Sequence, residues 1–471
     1  MIKLTREGKI FLLLLVLVFS QLIANVPKLT ERGMWSDELF TAAVIRYHPI
    51  FSLSFERKVL TNIDLPDSFL TVKAGEQHPP LYDLLVKAWA FCFGDSAFSL
   101  RLFSLVCLIL SSTVFVRLAY TEKQDQALYL SLALMLAVLP IMQAYALQSR
   151  SYMFCVLLSS LILFTVIKCK DSDKHFRLLY ILIAASFITH YYFALFTGAL
   201  YLIAICYEIK ITRRISRFTL VPILVILIWG WLSYHSILFT ATGGVSWKTI
   251  TLRQSFTNIL ESIYSYFGPF IFLAPLAFLV SVFRRQQFLV LGFAVFSVTV
   301  LALSIACSKA GIQHPRHFLF FVPWILYLVL APLFSLMPER MKVPVVILLL
   351  LTAYFAPKPQ LVYANEGYDA ASRFIVENWG VQKIIYASWQ ANEAFYKYYL
   401  DDYSTDKRHL TMLSSNHDVE SACVSIANEN SPLFAHTSHK EIIVEYLKCL
   451  PKDSKKVTKR FGDVVVVYAG H

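Results

Sequence analysis

The chain has 471 residues, of which 57% are hydrophobic and 16% charged, and its mean hydropathy is +0.57. A soluble globular protein carries about 25% charged residues, so this composition excludes that class and requires much of the surface to face lipid. The net charge of +12 is uneven: residues 357–471 hold 13 Lys/Arg against 14 Asp/Glu, and the preceding 356 residues hold 30 against 17. The basic surplus therefore belongs to the membrane part, and no basic stripe with stacking aromatics points to nucleic acid.

A membrane-crossing helix needs about 20 mostly apolar residues. The candidates in chain order are 10–26, 97–118, 126–143, 151–168, 178–193, 194–209, 218–239, 263–283, 287–307, 317–336 and 343–356. They predict a polytopic α-helical membrane protein of about eleven transmembrane helices. The first segment has the basic start and apolar centre of a signal peptide, but Gln21–Asn25 lacks a small-x-small cleavage site, so it reads as an anchor.

Charge sets the orientation. With the N-terminus in the cytoplasm, the inner connections carry Lys3, Arg6 and Lys9; Arg117 and Lys123; Lys168, Lys170, Lys174 and Arg177; Lys210, Arg213, Arg214 and Arg217; Arg284 and Arg285; and Arg340 and Lys342. The short outer turns at 144–150 and 190–193 contain only Arg150. Every second loop is basic, as the positive-inside rule requires. An odd number of helices then leaves the C-terminal segment outside.

Two regions read as water-exposed. The outer loop 27–97 ends in an amphipathic helix: Leu81, Leu84, Leu85, Ala88 and Trp89 recur at helical spacing, and Asp83 and Lys87 are set as an i,i+4 pair on its wet face. Pro79-Pro80 suits the start of that helix, where missing N–H groups cost little. It is expected along the membrane surface. After Pro357-Lys358-Pro359, helices over Tyr368–Trp379, closed by Gly380, and Gln390–Leu400 alternate with strands over Lys383–Ser388, Pro432–His436 and Val464–Tyr468. That order predicts an extracytoplasmic α/β domain over 357–471, suited to docking or stabilisation because it carries no catalytic motif. The transmembrane domain is 1–356, with the loop 27–97 belonging to it.

Of the eight cysteines, Cys107, Cys155, Cys169, Cys206 and Cys307 lie in or beside spans without metal-ligand spacing, which suits packing. Cys92 sits on the surface helix. Cys423 and Cys449 share the outer domain, where an oxidising compartment permits a disulfide.

Reactive side chains concentrate at the outer face: Trp35-Ser36-Asp37-Glu38 just after the first span, and His78-Pro79-Pro80-Leu81-Tyr82 some forty residues on. Ser36-Asp37-Glu38 also suits a helix start, with a cap and two acids at the positive end. On a helix, Asp37 and Glu38 point about 100° apart, so they do not form one carboxylate pair.

These two motifs, followed by Phe93-Gly94-Asp95-Ser96-Ala97-Phe98-Ser99-Leu100-Arg101-Leu102, resemble the GT-C membrane glycosyltransferases. The likeness is to the bacterial branch related to protein O-mannosyltransferases and the lipid A aminoarabinose transferase. Gln148-Ser149-Arg150-Ser151-Tyr152, Thr189-His190-Tyr191-Tyr192 and Pro315-Arg316-His317 are further echoes, and the specific part covers about the first 200 residues. The resemblance implies an inverting glycosyltransferase at the outer face of a bacterial inner membrane. It would move a sugar from a polyprenyl-phosphate donor to a hydroxyl of a cell-envelope acceptor, which could be a glycolipid, a polysaccharide or a protein.

By the same resemblance Asp37 is the base that deprotonates the acceptor hydroxyl, and Glu38 orients a partner. His78, Arg150, Tyr152, His190 and Arg316 are donor-phosphate or substrate residues, and the guanidinium of Arg150 matches the leaving phosphate. Relatives often carry an acid where this chain has Gln148, which weakens any metal proposal. A divalent cation stays open, with His190 and His314 as ligands in principle. Tyr191, Tyr192 and Trp324 fit interface packing or a prenyl groove. The rival class is a multi-pass transporter or lipid flippase. Such proteins keep ionisable residues near mid-membrane, and the predicted span interiors here lack them.

Overall fold

The computed structural model describes residues 6–47, 68–75, 78–122, 125–169, 173–235, 250–310, 314–354, 367–379, 385–388, 390–403, 410–413 and 416–470. Gly380 and the Pro357-Lys358-Pro359 junction lie outside the described residues. The chain divides into two compact units, 1–27 with 73–86 and 101–360, and 28–72 with 87–100 and 361–471.

The first unit is helical. Among the described residues it contains α1 (Arg6–Asn25) and, after α2 (Ser36–Tyr47) and α3 (Phe69–Gly75), the start of α4 (Leu81–Phe93) and α5 (Ala97–Thr121). There follow α6 (Gln126–Val138), α7 (Pro140–Ala146), α8 (Tyr152–Lys168), α9 (Asp173–Phe187), α10 (Tyr191–Thr212) and α11 (Leu220–Leu232). The series ends with α12 (Leu252–Phe267), α13 (Leu273–Phe283), α14 (Gln287–Ala310), α15 (Val322–Leu336) and α16 (Glu339–Tyr354). Four of the described helices are long and apolar enough to cross a membrane, or six if two bent pairs each count as one span. Large apolar side chains stand bare on these helices: Trp231 is 79% exposed, Phe283 82% and Leu202 64%. Helices satisfy their own backbone hydrogen bonds and can hold such faces in hydrocarbon, so the chain is a multi-pass membrane protein.

Two expected continuous segments are broken, each for a local reason. The segment 126–143 bends by 57° between α6 and α7. Pro140 has no N–H, and it forces Leu139 out of the helical region to φ −56°, ψ 122°. The freed carbonyl of Ala137 accepts instead from Gln21 Nε2 at 3.0 Å and from Gln143 Nε2. The segment 263–283 turns by 110° where Gly268 takes φ +54°, a conformation that glycine adopts without a Cβ penalty. Its first half, α12, extends back to Leu252 and is capped by a Thr251–Gln254 capping box. The break between α9 and α10 falls at 188–190, overlapping the expected His190-Tyr191-Tyr192 only at His190.

In the second unit, α17 (Tyr368–Asn378), α18 (Gln390–Tyr403), α19 (Asn416–Glu429) and α20 (Lys440–Cys449) flank a five-stranded sheet. Its strands are β1 (Ile385–Ala387), β2 (Leu410–Met412), β3 (Leu433–His436), β4 (Lys455–Phe461) and β5 (Val464–Gly470), in the order β2-β1-β3-β5-β4. β2, β1 and β3 are parallel, whereas β5 runs antiparallel to both β3 and β4. Alternation along β3 separates the faces. Phe434 meets Tyr368 and Tyr396 on the α17–α18 side, while Leu433 and Ala435 join Val419, Ile426 and Tyr446 on the α19–α20 side. Val464 to Val467 are all buried, as suits a strand covered on both faces. Cys423 and Cys449 are bonded across α19 and α20, with Cα atoms 4.8 Å apart. Gly367 starts α17 at φ +82°, and a Cβ there would strike the Phe461 carbonyl.

The segment that follows α1 docks onto this α/β fold. The Met34 N–H donates to Tyr399 Oη at 2.7 Å. Arg46 at the end of α2 pairs with Asp95 at 2.7 Å, donates to the Tyr398 carbonyl at 2.9 Å, and lies 4.0 Å over the Tyr398 ring. The C-terminal domain thereby holds both ends of α2, whose first turn carries Asp37.

Candidate functional site

Three turns of the first unit are pinned together. The Leu81 N–H at the start of α4 donates to the Ile188 carbonyl at 2.9 Å, which sets the Pro79-Pro80 turn against the α9–α10 turn carrying Thr189 and His190. The third turn, 147–151, follows α7 and leads into α8. A 3₁₀ turn over Pro315–Phe321 is fastened to α8 by Ser159 Oγ, which donates to the Phe320 carbonyl at 2.6 Å, and to α12 by Tyr266 Oη, which donates to the Pro315 carbonyl.

These turns gather five of the sequence-derived candidates. Arg150 Nη2 lies 3.1 Å from His78 Nε2. Arginine has only donors, so Nε2 of His78 accepts and its proton sits on Nδ1. His190 lies 5.7 Å ring to ring from His317, which is 6.1 Å from Tyr152, and the Arg316 guanidinium stands 5.9 Å over the Tyr152 ring. Arg150, Tyr152, His190 and His317 are buried. A small cavity is lined by His78, Pro79, Tyr82, Asp83, Arg150, Ser151 and Thr189.

Burial, reinforced by the Arg150 and then the Lys73 charge, holds His78 well below the usual histidine range, so it is neutral at pH 7. Burial and Arg150 push His190 down to about 4. In the unfolded chain both imidazoles take up a proton near pH 6.5, and in the fold only at lower pH. The stability tied to their neutral form is therefore complete above about pH 6.5 and drains away as the pH falls toward 4. Thermal unfolding in detergent is expected to show this acid-side loss, and His190→Gln to reduce its slope. An unchanged slope would contradict the assignment.

Sequence reading missed Lys73, Asp83 and His317 as parts of this group. Asp83 does not form the surface pair with Lys87: it is buried, and its Oδ2 lies 2.5 Å from Lys73 Nζ. Lys87 instead donates to the Ile45 carbonyl at 2.5 Å. The partner of Asp83 lies ten residues upstream on α3, beyond any helical spacing, so no local pattern could disclose it. His317 was visible only as the neighbour of Arg316. His314 lies 5.7 Å from the His317 ring. Among the described residues no three His, Cys, Asp or Glu side chains gather so as to hold a metal ion.

Asp37 and Glu38 belong to the second unit. They fall in the first turn of α2, with Trp35 as the residue before it. Glu38 is fully buried and its Oε2 accepts from the Trp35 N–H at 3.4 Å, which is the backward reach of a capping box. Asp37 is half-exposed. The two acids thus have different surroundings, one turned into the fold and one partly open to solvent.

Residues 77–234 match the model of the family described as dolichyl-phosphate-mannose-protein mannosyltransferase. No curated protein matches the chain in sequence. Two similar solved structures are ArnT from Cupriavidus metallidurans in the apo state, at TM-score 0.63, and the same protein bound to undecaprenyl phosphate, at 0.64. Each is 12% identical, and each alignment covers 98% of this chain and 97% of the other. The matched segment begins at Gln77 and takes in His78, Arg150, Tyr152 and His190. The chain shares the fold of ArnT, and its residues 77–234 are similar to the protein mannosyltransferase family.

Proposed function

We propose that the protein is an inverting glycosyltransferase that moves a sugar from a polyprenyl-phosphate donor to a hydroxyl of a cell-envelope acceptor. The observation that carries this reading is the part-buried Arg150–His78 contact on the wall of a small cavity, where the buried Arg150 guanidinium suits a lipid-linked phosphate. The undecaprenyl phosphate bound to the structurally similar ArnT supports the ligand class.

In the reaction, the Asp37 carboxylate takes the proton from the acceptor hydroxyl as its oxygen attacks the anomeric carbon. The anomeric carbon–oxygen bond to the phosphate breaks, and the phosphate leaves with the electron pair. Arg150 stabilises the charge that develops on it. Attack from the face opposite the leaving phosphate inverts the anomeric centre. Tyr152, His190 and Arg316 shape and polarise the surroundings, and Glu38 fixes the helix start that presents Asp37.

The topology that goes with this reading has eleven spans in a bacterial inner membrane, the N-terminus in the cytoplasm, and residues 357–471 outside as a soluble α/β domain. The lipid donor would then be used at the outer face. The alternation of basic loops supports that orientation. The reading is tested by giving protein reconstituted in vesicles a polyprenyl phosphate carrying a radiolabelled sugar, together with envelope extract. Label is expected to pass to an acceptor with release of polyprenyl phosphate. Absence of transfer from every donor, with uptake of substrate into the vesicles, would favour a transporter instead.

A further inference from the structure

The cavity that adjoins Arg150 also holds a carboxylate that phosphate binding does not use. Asp83, in the first turn of α4, lines it together with His78, Arg150 and Thr189. Its Oδ2 is taken by Lys73, and the side chains of the pair are only 7% and 2% exposed, respectively. Its other oxygen, Oδ1, is buried and meets no hydrogen-bond donor among the described residues. A buried carboxylate oxygen left without a donor is costly, so a donor supplied by a ligand would find it ready.

The charges around it narrow what that donor can be. Lys73 balances Asp83, so the carboxylate can stand beside an anion site without cancelling its attraction. Arg150 is a neighbour on the cavity wall and Lys73 already occupies the other oxygen, so a second cation is disfavoured there. A neutral hydroxyl is not. We propose that Asp83 is a sugar-recognition residue, its Oδ1 accepting a hydrogen bond from a hydroxyl of the donor's sugar while Arg150 holds the phosphate. This rests on the reading of the cavity as the donor-phosphate site, and it adds recognition of a neutral, hydroxyl-bearing sugar.

The substitution Asp83→Asn is a sharp probe. The amide oxygen can keep facing Lys73, which turns the NH₂ into the cavity and exchanges an acceptor for a donor. Binding is measured in detergent for undecaprenyl phosphate alone and for undecaprenyl phosphate carrying mannose, glucose or arabinose. D83N is expected to weaken the best sugar-bearing ligand about 10- to 100-fold, the loss typical of a hydrogen bond to a charged group. Binding of the bare lipid phosphate should not weaken, because D83N removes no phosphate contact and leaves the Lys73 charge unbalanced. Because removing half of a buried ion pair can unfold a protein, the charge-balanced variant K73M/D83L, which deletes both charges and leaves no acceptor, is measured alongside and should show the same selective loss.

Equal weakening of both ligand types would make the pair structural and overturn the proposal, as would no weakening of either. Wild-type protein that binds the bare lipid but none of the three sugar-bearing ones also contradicts it. Wild-type protein that binds none of the four lipids is a different failure, because it removes the donor site itself.

Discussion

Asp37→Asn is expected to bind donor as the wild type does and to lose about 10²- to 10⁴-fold in transfer rate, the usual contribution of a positioned base. Asparagine keeps the size and one acceptor oxygen of aspartate but cannot take a proton. The helix should survive the change, since an acid in the first turn contributes only about 0.3–1 kcal/mol. Glu38→Gln is the matched control. Its side chain accepts from the Trp35 N–H, and glutamine can make the same backward bond, so transfer should fall far less. Initial rates and donor binding measured on the same vesicles separate the two cases. A D37N rate close to wild type would remove Asp37 as the base.

Arg150→Ala is expected to weaken donor binding about 10- to 100-fold, as loss of a charge-assisted hydrogen bond does. Arg150→Lys should recover only part of this, because an ammonium keeps the charge and loses the planar fork that matches a phosphate. A second readout excludes simple damage to the fold. After burial, the Arg150 charge does most to depress both His78 and His190, so removing it should raise both imidazole pKa values, visible by NMR of labelled histidine. Wild-type donor affinity in R150A would show that the phosphate lies elsewhere.

The membrane class was legible because hydropathy and loop charge are local, summed signals that survive ignorance of packing. The helices of the first unit lie where the apolar segments stand, and their breaks follow Pro140 and Gly268, single residues whose backbone chemistry acts locally. The α/β domain was half visible. β5 is a run of buried valines, whereas β4, Lys-Lys-Val-Thr-Lys-Arg-Phe, is an exposed edge strand with no apolar alternation to betray it. β2 is three residues long, too short to show an alternation.

The candidate site divides in the same way. His78, Arg150, Tyr152, His190 and Arg316 stood in recognisable motifs, and the fold brings them together through the Leu81–Ile188 backbone bond and side-chain contacts between distant turns. Lys73 and Asp83 carried no motif. Their pairing depends on α3 and α4 folding against one another, which spacing along a chain does not encode. The ends of α2 are held by Tyr399 and by an Arg46–Asp95–Tyr398 group drawn from three stretches of sequence. In the proposed reaction these contacts position the helix that carries Asp37, a role that composition could describe only as docking.

The most direct measurement is an experimental structure of the protein with undecaprenyl phosphate bound. The phosphate is expected within about 3 Å of the Arg150 guanidinium, the hydrogen-bond range, with the His78 imidazole beside it and the Arg150–His78 contact opened to admit it. Phosphate seated elsewhere, with Arg150 still closed on His78, would contradict the account.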